Sequence, residues 1–187
     1  SNYDITLING TYEITKATYD MSGVTFNNGS YVYDSTSHNL AINGSLPTGV
    51  TVTYQNNGQI NVGTYTVTAQ FSGDTTNYNL VSDMTATLTI TKASLTISAI
   101  DKSVVYGNST NLTYGLEGTN YNNEVLIGIS RALGDTVGSY EITVSATDSN
   151  YDITLINGTY EITKATYDLS GVTFNNGSYV YDSTNHN

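Results

Sequence analysis

The chain has 187 residues, with 16 acidic side chains against 5 basic ones and a formal net charge of −11. A surface of that sign repels phosphate backbones and anionic lipid, and no Lys/Arg cluster overrides it, so neither a nucleic acid nor a membrane surface is expected as a partner. Cysteine is absent, which excludes a disulfide scaffold and Cys-ligated zinc, and no apolar run approaches the roughly 18 residues of a membrane span.

The first twenty residues, SNYDITLINGTYEITKATYD, return at residue 149. Over the 39 positions of the second copy only two differ, Met21 against Leu169 and Ser37 against Asn185. Ser1 therefore matches Ser149, a period of 148 residues. That is too long for one solenoid unit, and a weaker repeat lies inside it. YVYDST at 31–36 resembles VVYGNST at 104–110, and VGTYTVT at 62–68 resembles VGSYEIT at 137–143. NYNL at 77–80 resembles NYDI at 150–153, and TLTITKA at 87–93 resembles TYEITKA at 159–165. In chain order, residues 1–16 are then the closing strand of a B-type module, and 17–92 an A-type module. Residues 93–164 are a B-type module, and 165–187 the opening strands of another A-type module. The chain does not begin with Met and is expected to be a window on a longer alternating array.

Within the modules the apolar period is two. Tyr65, Val67, Ala69 and Phe71 alternate with Thr or Gln, Ala86, Leu88 and Ile90 follow, and Leu95, Ile97 and Ala99 continue past the boundary. Tyr140, Ile142, Val144 and Ala146 repeat the pattern late in the chain. Apolar in and Thr or Ser out predicts strands with one solvated face. The pairs Asn28-Gly29, Asn43-Gly44, Asn57-Gly58 and Asn157-Gly158 predict turns with positive φ. The best helical segment is a turn or two around 122–128. Matched tyrosines, Tyr33 with Tyr106, Tyr65 with Tyr140 and Tyr78 with Tyr151, are expected as core and rim anchors. The fold class is all-β with at most one short helix: tandem small β-sandwich modules, immunoglobulin-like or β-grasp-like, set end to end.

Ile-Thr-Lys-Ala recurs at 14–17, 90–93 and 162–165, each time between one module's last strand and the next one's first. No Gly, Pro or polar spacer separates them, so the linker is not a flexible coil, and consecutive modules are expected in line, stiffly joined, without a large interface. Lys16, Lys92 and Lys164 share the parity of core Ile14, Ile90 and Ile162, which aims them inward. They are candidates for a Lys–Asn cross-link or, more plainly, for snorkelling at the module rim. The broken modules at the two ends are expected to need neighbouring copies to complete them, either by continuation of a fibre or by strand exchange.

This layout resembles the MBG-type repeats of large bacterial surface adhesins, in their YDG-like and YGX-like variants. The B module carries the resemblance through Tyr106-Gly107-Asn108, Arg131, Gly138, Tyr140 and Ile142, then Ser149-Asn150-Tyr151 and finally Tyr160, Ile162 and Lys164. The A module carries Tyr33-Asp34, but Ser35 stands where the YDG-like form has Gly, which leaves the turn there open. The resemblance implies an extracellular β-rich stalk repeat at the cell surface, without catalytic residues.

Chemistry in the residues themselves is sparse. His38 and His186 occupy one position of successive repeats. Asp34, Ser35 and His38 lie close in sequence, but a catalytic triad needs convergence and an oxyanion site that a polar turn does not supply. No enzyme is expected and no cofactor is implied. The acidic loops at 72–79 and 148–152 offer oxygen ligands, so Asp74, Asn77, Asp148 and Asp152 are the calcium candidates, although neither loop has EF-hand spacing and both also read as Asx-turns. The function expected is a structural stalk or fibre repeat projecting a distal adhesive region. The alternative is an adhesin module that binds host or matrix glycans through exposed Tyr and Thr. Partners are neighbouring repeats, with glycan under the alternative.

Overall fold

The computed structural model describes residues 2–121 and 124–185. Thirteen strands follow in order: β1 (Thr25–Phe26), β2 (Gly29–Val32), β3 (Ile42–Asn43), β4 (Thr51–Gln55), β5 (Gly63–Ser72), β6 (Met84–Thr91), β7 (Ala93–Ala99), β8 (Lys102–Val105), β9 (Tyr114–Gly118), β10 (Ile127–Arg131), β11 (Gly138–Ala146), β12 (Tyr151–Ile156) and β13 (Gly158–Thr163). The period-two runs become β5, β6, β7 and β11, with Val67, Ala69, Leu88, Ile97 and Ile142 each fully buried or nearly so.

The A half has a four-stranded sheet in the order β2-β6-β5-β4 and a short β1-β3 pair. Phe26 of β1 and Ile42 of β3 lie over Val50, Ala69 and Phe71, which closes the second layer. The B half has two sheets, β12-β7-β9 and β10-β11-β13-β8. Leu95 and Ile97 of the first pack against Val144, Ile127 and Ile129 of the second. Most pairings are antiparallel, but β2 with β6, β7 with β12 and β8 with β13 are parallel. The result is all-β, in two packed layers per half. The described residues contain no helix, whereas a β-grasp fold needs one laid across its sheet. Of the segment 122–128, Asn122 and Asn123 lie outside the described residues. Glu124 to Leu126 are irregular and Ile127 opens β10. Burial of Val125 in the core cluster draws this segment into the sandwich instead of into a helix.

Two of the four Asn-Gly pairs take the expected backbone, with φ of 96° at Gly44 and 81° at Gly58. Gly29 and Gly158 instead open strands β2 and β13. The turn left open at Ser35 does form: Ser35 sits at φ 64°, and Gly107 of the B half at φ 89°. A side chain in that region costs about 1–2 kcal/mol. Ser35→Gly should therefore stabilise the chain, by roughly 0.5–1 kcal/mol after the added freedom of the unfolded glycine is set against the relieved strain. A urea titration reading a lower midpoint for the variant would refute this.

The duplicated segment provides an internal comparison. Tyr151, Tyr160 and Ile162 are 2%, 3% and 5% exposed, while their twins Tyr3, Tyr12 and Ile14 are 83%, 90% and 83% exposed. The same sequence forms β12 and β13 in one place and no strand in residues 2–16. At the other end, Tyr33 is buried and its twin Tyr181 exposed. The turns behave differently. Asp34 Oδ1 accepts the Thr36 N–H at 2.9 Å, and Asp182 Oδ1 accepts the Thr184 N–H at 2.9 Å. Asp20 with Ser22 and Asp168 with Ser170 match in the same way. A turn closed over two residues carries its own hydrogen bonds, whereas a strand needs partners across a sheet. Within this single chain neither end piece forms a strand, because each lacks the rest of its module, and 165–185 keeps its local turns at Asp168 and Asp182.

Candidate functional site

The most built feature of the chain is the junction between its halves. β6 ends at Thr91 and β7 begins at Ala93, so one residue, Lys92, links the last strand of A to the first of B. The Ala93 N–H donates to the Asn150 carbonyl at 3.0 Å and starts the parallel β7–β12 ladder. Tyr33 follows β2, and its N–H bonds the Thr91 carbonyl at 2.9 Å, which fixes the backbone of the A half beside the link.

From there the Tyr33 ring crosses into the B half. It lies edge-on to Tyr151, with centroids 5.4 Å apart and planes at 81°, the arrangement aromatic quadrupoles favour. Tyr33 and Ile90 of A share one buried cluster with Ala93, Leu95, Ile97, Val125 and Tyr151 of B, and Val62 and Tyr65 of A pack against it. Polar bonds rim this cluster. The Tyr33 hydroxyl donates to Glu124 Oε2 at 3.3 Å, and Asn120 Nδ2 donates to the Tyr33 carbonyl at 3.1 Å. The Tyr151 hydroxyl donates to the Asn120 carbonyl at 2.9 Å. The Val62 N–H donates to Asn150 Oδ1 at 2.9 Å, and Asn150 is itself held by an Asp148 carboxylate that accepts its N–H at 2.7 Å. The expectation of two modules without a large interface is corrected here: the hydrophobic core continues through the boundary. Asn120 and Glu124 were not singled out in the sequence, since a polar loop gives no periodic signal of what lies opposite it.

The matched tyrosines divide by context. Tyr65 and Tyr140 play one role, each donating its hydroxyl to the carbonyl four residues earlier, Asn61 at 2.9 Å and Thr136 at 2.8 Å. Tyr33 and Tyr151 are buried at the junction, whereas Tyr106 is 54% exposed at the far end of the B half. Tyr78 stacks on Tyr19 with centroids 4.2 Å apart. Arg131, one of the residues carrying the family resemblance, has a structural place. Its guanidinium lies 4.8 Å from the Tyr160 ring centroid and 5.3 Å from that of Tyr140, and it pairs with Asp135 at 2.7 Å.

Two of the calcium candidates, Asp74 and Asp148, are engaged with donors. Asp74 Oδ1 accepts the Thr76 N–H at 2.8 Å and Oδ2 accepts from Asn77 Nδ2 at 2.7 Å. Asp148 holds Asn150, and Asp152 is exposed on β12. Among the described residues no three His, Asp or Glu side chains gather into a metal cluster. The lysines point outward, not inward: Lys16, Lys92 and Lys164 are exposed, and Lys16 Nζ reaches the Thr75 carbonyl at 2.6 Å. Strand parity fails as a guide there because β6 and β13 end just before Lys92 and Lys164, and no strand precedes Lys16.

His38 Nε2 lies 2.9 Å from Asp34 Oδ1, and its ring stacks on Tyr31 with centroids 4.3 Å apart. His186 lies outside the described residues. Asp34 Oδ1 also accepts from the Thr36 hydroxyl at 2.6 Å. Bonds from the Thr36 hydroxyl and amide, with a smaller contribution from His38, hold the Asp34 carboxyl below its ordinary value of 3.8. Bonds from Asn77 and Thr76 do the same for Asp74. A carboxyl that titrates lower when folded contributes its full stabilisation above the unfolded value, and loses it as pH falls through the lower folded value. Both loops should therefore hold at pH 5 and loosen only below about 3.8. Amide shifts of Thr36 and Thr76 that move between pH 5 and 4.5 would contradict this.

Residues 95–161 match the family model of the MBG domain, YGX type. A search of curated proteins finds no match. Among solved structures the chain is similar to the human mucin-like protocadherin EC1-2, at TM-score 0.28 and 10% identity, covering 76% of this chain and 98% of that one. It is also similar to a SusE-like surface-located polysaccharide-binding protein from the Bacteroides thetaiotaomicron heparin utilisation locus, at TM-score 0.27 and 10% identity, covering 75% and 33%. A third is Drosophila N-cadherin EC1-4, at TM-score 0.29 and 8% identity, covering 75% and 49%. The chain thus spans a third to a half of the length of the last two. No helix of the described residues is long and apolar enough to cross a membrane.

Proposed function

We propose that the chain is a structural stalk repeat of an extracellular surface protein, in which modules 17–92 and 93–164 act as stiffly coupled segments of a rod. The observation that carries this reading is the junction: a one-residue link together with Tyr33 of one half buried in the core cluster of the other. A domain pair joined by a hydrophobic core loses the freedom that small polar interdomain contacts usually leave. The MBG match over 95–161 agrees with a surface role. No catalytic step is assigned, because Asp34, Ser35 and His38 form a capped turn with no adjoining oxyanion site described. The glycan-binding alternative requires aromatic faces gathered in a groove. Within 17–164 the exposed tyrosines Tyr31, Tyr106 and Tyr114 instead lie in three separate elements, β2, the turn after β8, and β9, and the open cleft at Tyr106 holds one further ring, Tyr167.

The test is a distance distribution between spin labels on cysteines introduced at Thr53 and Ser130, one exposed strand site in each half. A stiff rod gives a single narrow peak. A broad distribution spanning several nanometres would overturn the reading.

A further inference from the structure

The outer strands of the sheets are not alike. In the B half each one carries a charge: Lys102 in β8, Glu117 in β9, Arg131 in β10 and Asp152 in β12. Charged side chains on a sheet edge keep it from pairing with a further strand. In the A half the outer strands are β2 and β4. β2 is four residues long and soon meets Asp34. β4, Thr51–Gln55, has no such protection. No Asp, Glu, Lys or Arg occurs between Asp34 and Asp74, a stretch that holds β3, β4 and β5 whole. Asp83 stands across β5, where Gln70 Nε2 donates to it at 3.3 Å. Val50 to Gln55 reads VTVTYQ, β-branched and aromatic without charge or Pro, the composition of segments that pair with themselves.

The edge is open in its backbone as well. Asn56 Nδ2 donates to the Thr66 carbonyl at 2.9 Å, and Asn28 Oδ1 accepts the Thr87 N–H at 2.7 Å. Thr66 and Thr87 stand opposite one another on β5 and β6, so their backbone groups turn away from each other, those of Thr66 toward β4. By alternation Thr68, Gln70 and Ser72 face β4 too, and bond their partners Gln55, Thr53 and Thr51. Val52 and Tyr54, the residues between, therefore aim their N–H and C=O outward. Among the described residues no backbone group of another element bonds them. This opening does not come from a chain end, since β3 and β5, the neighbours of β4 in sequence, are both in place.

We propose that two copies of this chain associate through β4, antiparallel, about a two-fold axis between the facing Thr53 residues. In that register Val52 stands opposite the second copy's Tyr54, and the pair exchanges both backbone bonds. Strand parity agrees throughout. Val52 and Tyr54 are the half-buried residues on the core side, whereas Thr51, Thr53 and Gln55 are exposed. The Val–Tyr pair thus extends the core, and Thr53 meets Thr53 on the outer face, where Thr–Thr pairs are favourable. A chain of net charge −11 repels its own copies, and the uncharged stretch is where that repulsion is weakest. Edge pairing of this kind reverses every direction in the sheet plane, so the two copies point oppositely.

The test compares the full chain with Thr53→Lys and, as control, Thr66→Lys, which puts the same charge on β5, one strand in from the edge. Both positions are exposed, so neither variant is expected to unfold. Two lysines facing across the axis repel, although each lysine lowers the chain's net negative charge. Sedimentation should show a dimer that grows with concentration in the parent chain. Its dissociation constant should be at least tenfold weaker in Thr53→Lys than in Thr66→Lys, and mixing Thr53→Lys with Thr53→Glu should restore the association. The Val52 and Tyr54 amide resonances should shift with concentration in the parent chain. A parent that stays monomeric at millimolar concentration, or equal weakening by the two lysines, overturns the pairing. So does slow hydrogen exchange of both amides in the dilute monomer, which would mean that another part of the chain covers the edge.

Discussion

Tyr33→Ala is expected to lower stability by about 3–5 kcal/mol, the usual cost of emptying a buried aromatic site. It should also separate the unfolding of the two halves. The ring is 2% exposed and is the A half's main contribution to the shared cluster. Removing it leaves a void that neither sheet can close, because β6 and β7 are held by their own ladders. Two companion variants divide the effect. Tyr33→Phe removes only the hydroxyl, whose bond to the exposed Glu124 is 3.3 Å long, and should cost less than about 1 kcal/mol. Tyr106→Ala removes the same residue of the repeat where it is 54% exposed, and should cost about as little. Denaturant titration with one fluorescent reporter in each half reads both quantities. A single coincident transition in Tyr33→Ala would show that the cluster does not couple the halves.

Gly44→Ala should be the most damaging glycine substitution in the A half, at about 2–3 kcal/mol. Its φ of 96° disfavours any side chain. In addition, a Cβ at Gly44 would overlap the Gly23 carbonyl oxygen, a backbone atom that cannot rotate aside. That carbonyl lies in the turn closed by the Val24 N–H on Met21, so relief of the clash would disturb the entry to β1. Gly107→Ala provides the contrast. It shares the positive φ, at 89°, but a Cβ there meets nothing within 4 Å, so only the conformational cost of about 1 kcal/mol applies. Equal losses for the two variants, measured by thermal unfolding, would show that the overlap at Gly44 is relieved without cost.

Much of the fold was legible because alternation is a local property. Val67, Ala69, Leu88, Leu95, Ile97 and Ile142 were readable as core from their parity alone, and the chain buries each of them. Pairing was not legible. That β7 runs parallel to β12, and β2 to β6, depends on residues about sixty apart, and period two is the same for either direction. The end segments show the limit most directly. Tyr3 and Tyr151 stand in identical sequence, yet one is exposed and one buried, so no local rule distinguishes them. The turns at Asp34 and Asp182 mark the other side of that limit, since both copies form from sequence alone. At the junction, Tyr33 was legible as an anchor from its match to Tyr106, but its partners Asn120 and Glu124 were not. They act across a boundary, on a backbone carbonyl and on a hydroxyl that sequence does not place beside them.

The parallel ladders have a consequence for a chain that is pulled. In the B half, tension enters at Ala93, the first residue of β7, and leaves near Thr163, the last of β13. β7 lies parallel to β12, and β8 parallel to β13. Drawing the two ends apart therefore slides each of these strand pairs along its own axis, and the hydrogen bonds of a ladder share the load together instead of opening one after another from a free end. The A half repeats the arrangement with β2 parallel to β6. A hairpin loaded at its open end would unzip at low force. This connectivity instead meets tension between Ala93 and Thr163 in shear, so that the whole length of each parallel ladder must give way at once.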